Sequence, residues 1–120
     1  MGSSIEVYNL DIVIPNLSII ASVNPGESLH VLFNTGVNIE CDGGIEILFV
    51  YVSLNGHKVG EPSATIGADH DHKLWGHITL QYSNLTISPG VYNISIIAAS
   101  TDSINPNFLY DMTLLAFTHK

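Results

Sequence analysis

The sequence predicts one all-β domain, a sandwich or jelly roll of about eight short antiparallel strands. Runs rich in β-branched and aromatic residues alternate with Gly, Pro and Asn at short intervals, which is the all-β pattern. Helical periodicity is nearly absent. A length of 120 residues suits one domain that folds without disulfides. We expect this domain to span residues 5–120, with residues 1–4 as a disordered start outside it.

The β-rich runs divide into eight segments. The predicted strands are Ile5–Ile14, Leu17–Val23, Leu29–Phe33, Val37–Cys41, Ile45–Leu54, Leu74–Tyr82, Val91–Ala99 and Phe108–Phe117. Between Gly56 and Lys73 no clear strand is visible, except for an optional edge strand at His57–Val59. Long loops often carry function.

Residues that favour positive φ or fix φ separate these runs. Asn55-Gly56 is the strongest short hairpin signal, and Asp42-Gly43-Gly44 predicts a second hairpin. Pro25-Gly26 and Pro89-Gly90 fit type II turns, with proline at the second position and glycine at the third. Asn105-Pro106-Asn107 predicts a loop before the last strand.

The strand Ile45–Leu54 is apolar on both faces. Ile47, Phe49 and Tyr51 alternate with a second apolar set made of Leu48, Val50 and Val52. Such a strand is either central in its sheet or meets another subunit. We therefore name Leu48, Val50 and Val52 as candidate residues of an oligomer interface.

The charge balance narrows the choice of partner. The chain has three lysines, no arginine and eleven carboxylates, for a formal net charge of −8. Recognition of nucleic acid or of anionic membrane surfaces depends on clustered basic residues, so neither is expected. No apolar run is long enough to insert into a membrane. Charged residues are only 12% of the chain, which indicates either a surface covered by other chains or a Ser/Thr/Asn-rich surface.

A cluster of imidazoles and carboxylates predicts a metal site. Asp69-His70-Asp71-His72 is followed five residues later by His77. In an extended segment His70 and His72 point the same way, so the pair can chelate one divalent ion. A solvated polar loop is the alternative interpretation.

Trp75 and Gln81 are candidate ligand-binding residues. Alternation places Trp75 on the same strand face as His77, Thr79 and Gln81, whereas Ile78, Leu80 and Tyr82 lie on the other. Aromatic faces stack on the apolar faces of pyranose rings, so an exposed Trp75 predicts a sugar site. A core position for this aromatic is the alternative.

Catalytic signatures are weak. No Gly-x-Ser-x-Gly elbow occurs, and Cys41 has no identifiable histidine partner. The carboxylates Glu40, Asp42 and Glu46 are explained by a solvated hairpin tip. The sequence therefore predicts a protein that is not an enzyme and that carries no cofactor beyond an optional divalent metal at His70 and His72.

One stretch carries a family resemblance. Leu85, then Pro89-Gly90 and Tyr92 leading into a strand, resembles a turn in β-sandwich modules of phage virions, such as tail-fibre tips and capsid decoration proteins. His70-Asp71-His72 is similar to the His-x-His motif on the axis of some trimeric fibres. The resemblance implies a homo-oligomer, such as a trimer, located on a virion or an extracellular surface.

Three functions follow from these patterns. The first is a structural virion component that assembles with itself and with other virion or surface proteins. The second is a carbohydrate-binding or adhesin module with a glycan partner, and the third is a small metal-binding protein of cupin-like shape using His70, His72 and His77.

Overall fold

The chain forms eight antiparallel strands in two four-stranded sheets. The computed structural model describes residues 4–42, 46–67, 70–101 and 107–120, and within those ranges the side chains other than 40–42, 46, 64–67 and 70–74. The strands are β1 (Ile5–Val7), β2 (Ile12–Val23), β3 (Ser28–Asp42), β4 (Glu46–Leu54), β5 (His57–Gly67), β6 (His70–Asn84), β7 (Gly90–Ser100) and β8 (Asn107–His119). Sheet A has the order β1-β8-β3-β6, and sheet B has the order β2-β7-β4-β5.

The pairing is nested. β1 pairs with β8, β2 with β7, β3 with β6 and β4 with β5, all antiparallel. This is the connectivity of a jelly roll, in which one long hairpin ribbon folds over to make two packed sheets. The prediction of an all-β sandwich or jelly roll is confirmed, and the pairing specifies the jelly roll.

The core lies between the two sheets. Phe33 of sheet A and Leu48 and Ile94 of sheet B are fully buried there. Alternation along each strand places one side chain in the core and the next on the outer face. The burial of this apolar surface is the main stabilising contribution to a sandwich.

The interface prediction for Leu48, Val50 and Val52 needs correction. These side chains are at most 1% exposed and belong to the core, because their face of β4 packs on sheet A. The other apolar face of the strand is half-buried at Phe49 and Tyr51, since β4 lies between β7 and β5 in sheet B. The central position explains the two-sided apolar pattern.

Two predicted strand breaks are absent. β3 runs through Asn34-Thr35-Gly36 because each of these residues pairs with β6. β2 likewise runs through Pro15-Asn16 as one strand, with a bulge between Val13 and Ser18 where Asn16 adopts φ 59°. Gly and Pro, which usually interrupt strands, here mark a close approach and a bulge.

The predicted loop from Gly56 to Lys73 is instead β5 and the start of β6. β5 is an edge strand that pairs only with β4. An edge position tolerates Pro62 and polar side chains, and this is why the segment shows no clear apolar alternation.

Two of the predicted turns are present. Asn55 and Gly56 have φ of 51° and 88°, as a type I′ hairpin requires, and Gly26 follows Pro25 with φ 82°. Gly90 differs from the prediction, because its φ of 153° starts β7 and the preceding turn lies at Leu85 and Thr86. The predicted turns at Gly43-Gly44 and Asn105-Pro106 lie outside the described residues.

Candidate interaction surface

In the described part of the chain, the outer face of sheet A carries no charged side chain on its three long strands, and Glu6 of β1 lies opposite Phe108 at its border. We call it the sheet A face and define it by the outward residues of the three long strands. They are His30, Leu32, Asn34, Gly36 and Asn38 on β3; Trp75, His77, Thr79, Gln81 and Ser83 on β6; and Phe108, Tyr110, Thr113, Leu115 and Phe117 on β8. None is Asp, Glu, Lys or Arg, and Asp111 lies at a bulge in β8.

One end of the sheet A face is apolar. Leu115 and Phe117 are 54% and 51% exposed, and they lie opposite Leu32 and His30 in the register. The His30 ring stacks on Phe117 with a centroid distance of 5.0 Å and an angle of 21° between planes. A shallow depression beside them is also lined by Gln81. Exposed apolar side chains grouped in this way indicate contact with another molecule.

His30 is held by hydrogen bonds at both ring nitrogens. Its Nε2 lies 3.1 Å from Ser28 Oγ, and its Nδ1 lies 2.9 Å from Ser83 Oγ. Ser28 Oγ donates its one proton to the carbonyl of His119 at 2.8 Å. It must therefore accept from His30, so the neutral ring carries its proton on Nε2 and Nδ1 accepts from Ser83. These two hydrogen bonds hold the His30 ring in place on the sheet A face.

The other end of the sheet A face is aromatic. Trp75 is 62% exposed, as its position in the alternation predicts, and its ring contacts Tyr110 edge-on at 5.7 Å. Tyr110 lies over Gly36, where an added Cβ would meet the ring at 2.3 Å. Asn38 is only 6% exposed in this region, and its Oδ1 has no hydrogen-bond partner among the described residues. This end therefore presents an exposed stacking ring beside a buried acceptor.

Trp75 and Gln81 share the sheet A face but not one subsite. Six residues of extended strand separate them, which is about 20 Å along β6. Between them Thr79 donates a hydrogen bond to Asn34 Oδ1 at 2.9 Å. Gln81 belongs to the depression at the apolar end, so one sugar ring cannot contact both residues.

The structure does not bring the three predicted metal ligands together. β6 is continuous from His70 to Asn84, so His72 and His77 are about 16 Å apart along the strand. That separation exceeds what two imidazoles can bridge through one ion at about 2 Å each. His77 is exposed opposite Gly36, and no group of three potential metal ligands occurs among the described residues.

A chelate made by His70 and His72 alone stays a prediction. The backbone of His70 pairs with Asp42, whereas both histidine side chains lie outside the described set. The same holds for Cys41 and for the carboxylates of Glu40, Asp42 and Glu46.

The outer face of sheet B is different. The Lys58 ammonium lies 4.3 Å above the ring of Tyr51 and 2.7 Å from the Asp11 carboxylate. The hydrogen bond to Asp11 raises the pKa of Lys58, a change that burial partly opposes. Exposed aliphatic side chains on this face include Val13 and Ile20 on β2, with Ser18 between them, and Val91 on the neighbouring β7.

Sequence reasoning missed most members of the sheet A face. Strict alternation along β8 predicts Tyr110 on the same face as Met112, Leu114 and Ala116, but the bulge at Asp111, where φ is 50°, places Tyr110 on the outer face and the other three toward the core. Nothing in the alternation reveals this bulge. His30 was missed because its role depends on partners in β6 and β8 that are distant in sequence.

Comparison with protein-family models, curated proteins and solved structures gives no match to this chain. In the described ranges, no helix has the length and hydrophobicity needed to cross a membrane.

Proposed function

We propose that this protein is a non-catalytic assembly subunit whose copies associate through the sheet A face. The observation that carries the proposal is a sheet face whose three long strands present, among their described residues, large exposed apolar side chains and no charged one, on a chain with a formal net charge of −8. Two copies repel each other wherever carboxylates meet. The cost of association is lowest where neither copy presents a charge.

Hydrophobic burial supplies the attraction. Trp75, Leu115 and Phe117 are each more than half exposed in the single chain. Covering apolar surface yields about 25 cal/mol per Å² removed from water. Aromatic residues and depleted charge are also the composition found at the centre of protein interfaces.

The sheet A face is large enough for a specific contact. Three strands at about 4.8 Å spacing, each about 33 Å long between Ser28 and Asn38, give roughly 500 Å² in projection. Side chains that protrude from the sheet increase the accessible area beyond this projected value. A standard interface buries about 800 Å² on each partner, which is the same order.

The edges of the sheets also favour this face. Proteins protect edge strands by shortness, proline or bulges. β1 has 3 residues, β2 contains Pro15 and a bulge, and β5 contains Pro62 and a bulge. β6 pairs with β3 in unbroken register from Lys73 to Asn84 and contains no proline. This edge borders the sheet A face, so a second copy can cover both.

A subunit of this kind suits a capsid decoration protein, a fibre tip or another extracellular assembly, with other surface proteins as further partners. Jelly rolls also serve as lectins and cupins, so the choice of a virion setting is an analogy at the level of fold. The testable core of the proposal is self-association through a defined face.

The experiment is a measurement of native mass by light scattering after size exclusion. We expect a multiple of 13.0 kDa for the wild type at micromolar concentration. Leu115→Glu should shift the mass to that of the monomer, because it places a charge in the apolar end of the contact. Val91→Glu is the matched control, since Val91 is 64% exposed on sheet B. A monomeric wild type, or an equal effect of both variants, would refute the proposal.

Glycan binding is a second candidate function, favoured by Trp75. An exposed indole that contacts Tyr110 edge-on can stack on the apolar face of a sugar ring. Calorimetric titration with a panel of neutral glycans tests it. Binding that is lost in Trp75→Ala and kept in Val91→Ala would support the candidate. No heat from any glycan with the wild type would remove it.

A further inference from the structure

We infer that association through the sheet A face weakens on acidification, because His30 and His119 lie in and beside the contact. This inference deepens the proposed function and depends on it. Histidine is the side chain that ordinarily gains charge between pH 8 and pH 5. Both histidines lie at the apolar end of the face, where Leu115 and Phe117 supply the exposed hydrophobic surface.

The two imidazoles are close to each other. The ring centroids of His30 and His119 are 6.5 Å apart, and the planes meet at 74°. The carbonyl of His119 also accepts the Ser28 proton that orients His30. Protonation of both rings therefore places like charges side by side in each copy, and the same pair is repeated in the copy that it meets.

No carboxylate faces His30 from the strands that pack around it. β6 contributes Ser83 and Gln81, β8 contributes Phe117 and His119, and β3 contributes Ser28 and Leu32. The charged groups at the strand ends are Glu27, whose Oε1 accepts the Asn24 amide at 2.7 Å, and Lys120 next to His119. None of the described histidines forms an ion pair with a carboxylate. A His30 imidazolium in this contact would thus be desolvated with two serine hydroxyls as hydrogen-bond acceptors and no described carboxylate to balance its charge.

The sign of the pH effect identifies the location of the contact. Protonating all six histidines raises the formal net charge by six, from −8 to −2, which reduces the repulsion between whole molecules. A contact that contained no histidine would therefore strengthen at low pH. A contact that contains His30 and His119 weakens, because the local repulsion and desolvation act directly across it.

The experiment is sedimentation velocity on the wild type at pH 8, 7, 6 and 5, at about 0.15 M salt. We expect the dissociation constant to rise about tenfold or more as the pH falls, since a histidine whose pKa drops one unit on assembly changes it tenfold. Circular dichroism at each pH limits the comparison to conditions in which the subunit stays folded.

Variants separate the inference from the proposed function. His30→Gln combined with His119→Gln should remain oligomeric at pH 8 and lose most of the weakening at low pH, with the remainder due to His77 on the same face. His57→Gln, at the exposed start of β5, should retain the full weakening. If the double variant fails to fold, the direction in which the wild-type dissociation constant changes with pH tests the inference. A dissociation constant that falls or stays constant as the pH is lowered overturns this inference alone. A wild type that is monomeric at pH 8 overturns the proposed function as well.

Discussion

Gly36 shows how one missing side chain shapes the sheet A face. Tyr110 lies where a Cβ on Gly36 would be, and its ring supports Trp75 edge-on. In an isolated strand a change from Gly to Ala stabilises by about 0.5–1 kcal/mol. Here we expect Gly36→Ala to destabilise the fold by about 1–3 kcal/mol, because the Tyr110 ring must move. Urea unfolding measures the loss, and the fluorescence of the sole tryptophan, Trp75, reports the displaced ring.

Gly76→Ala is the control for Gly36→Ala. Gly76 lies in β6, where an added Cβ would meet Val37 Cγ2 at an ordinary distance of 3.4 Å. We expect this variant to keep the wild-type stability within about 1 kcal/mol. Equal unfolding curves for the two variants would show that Tyr110 does not need the space above Gly36.

Substitutions at Leu48 and Leu115 distinguish an effect on the stability of the fold from an effect on self-association. Leu48 is 0% exposed, so Leu48→Ala should leave a cavity and cost about 2–5 kcal/mol of unfolding free energy. Leu115 is 54% exposed, so Leu115→Ala should cost less than about 1 kcal/mol while weakening self-association. Thermal unfolding at low concentration, compared with native mass at high concentration, measures both effects. A large loss of stability in Leu115→Ala would contradict its assignment to the outer surface.

At the scale of the strands, the sequence predicts which strands form and which side chains face the core better than it predicts where each strand begins and ends. The alternation in β6 correctly places Ile78 and Leu80 in the core and His77 outside, because that strand keeps a regular register. It fails in β8 because the bulge at Asp111 reverses the facing of Tyr110. It misses β5 because an edge strand needs few apolar residues. Bulges and edge positions depend on the partner strand, which a local pattern does not contain.

β5 is connected to the β1–β2 segment by an ion pair whose contribution depends on pH. The hydrogen bond with Asp11 raises the pKa of Lys58 above its ordinary value. The contribution to stability is therefore complete at neutral pH and is lost as the pH rises through the raised pKa of Lys58. We expect the wild type to exceed Asp11→Asn in unfolding free energy at pH 7, and the difference to shrink in the alkaline range.

Chemical denaturation from pH 7 to pH 11 measures this difference. Glu61→Gln serves as the control, because Glu61 is an exposed carboxylate on β5 for which the structure shows no ion pair with Lys58. Both substitutions remove one negative charge, so the effect of net charge cancels between them. A difference between wild type and Asp11→Asn that stays constant with pH would contradict the assignment of the pair.

For the whole molecule, composition predicts binding or self-association but gives no location for it. The net charge of −8 and the low charged fraction predict either a surface covered by other chains or one rich in Ser, Thr and Asn, and the described outward residues of β3, β6 and β8 carry no charge. The location required the nested pairing, because β3, β6 and β8 become neighbours only when distant segments meet. His30, Ser83 and Phe117 therefore form one cluster that no spacing in the sequence could reveal.

The nested pairing also predicts the order of folding. β4 and β5 are joined by the Asn55-Gly56 turn, whereas β1 and β8 lie at opposite ends of the chain. Closing a long loop costs more entropy than closing a short one, so the β4–β5 hairpin should form before β1 pairs with β8. Val52→Ala and Val7→Ala remove equal side chains from buried positions, each costing about 2 kcal/mol.

We expect Val52→Ala to slow refolding and Val7→Ala mainly to speed unfolding. Stopped-flow mixing with Trp75 fluorescence measures both rates in the monomeric Leu115→Glu background, which keeps assembly out of the kinetics. The reverse assignment would mean that the chain ends meet in the transition state. In that case the outer pair of the jelly roll, and not the innermost hairpin, would organise the sheet on which β3, β6 and β8 build the sheet A face.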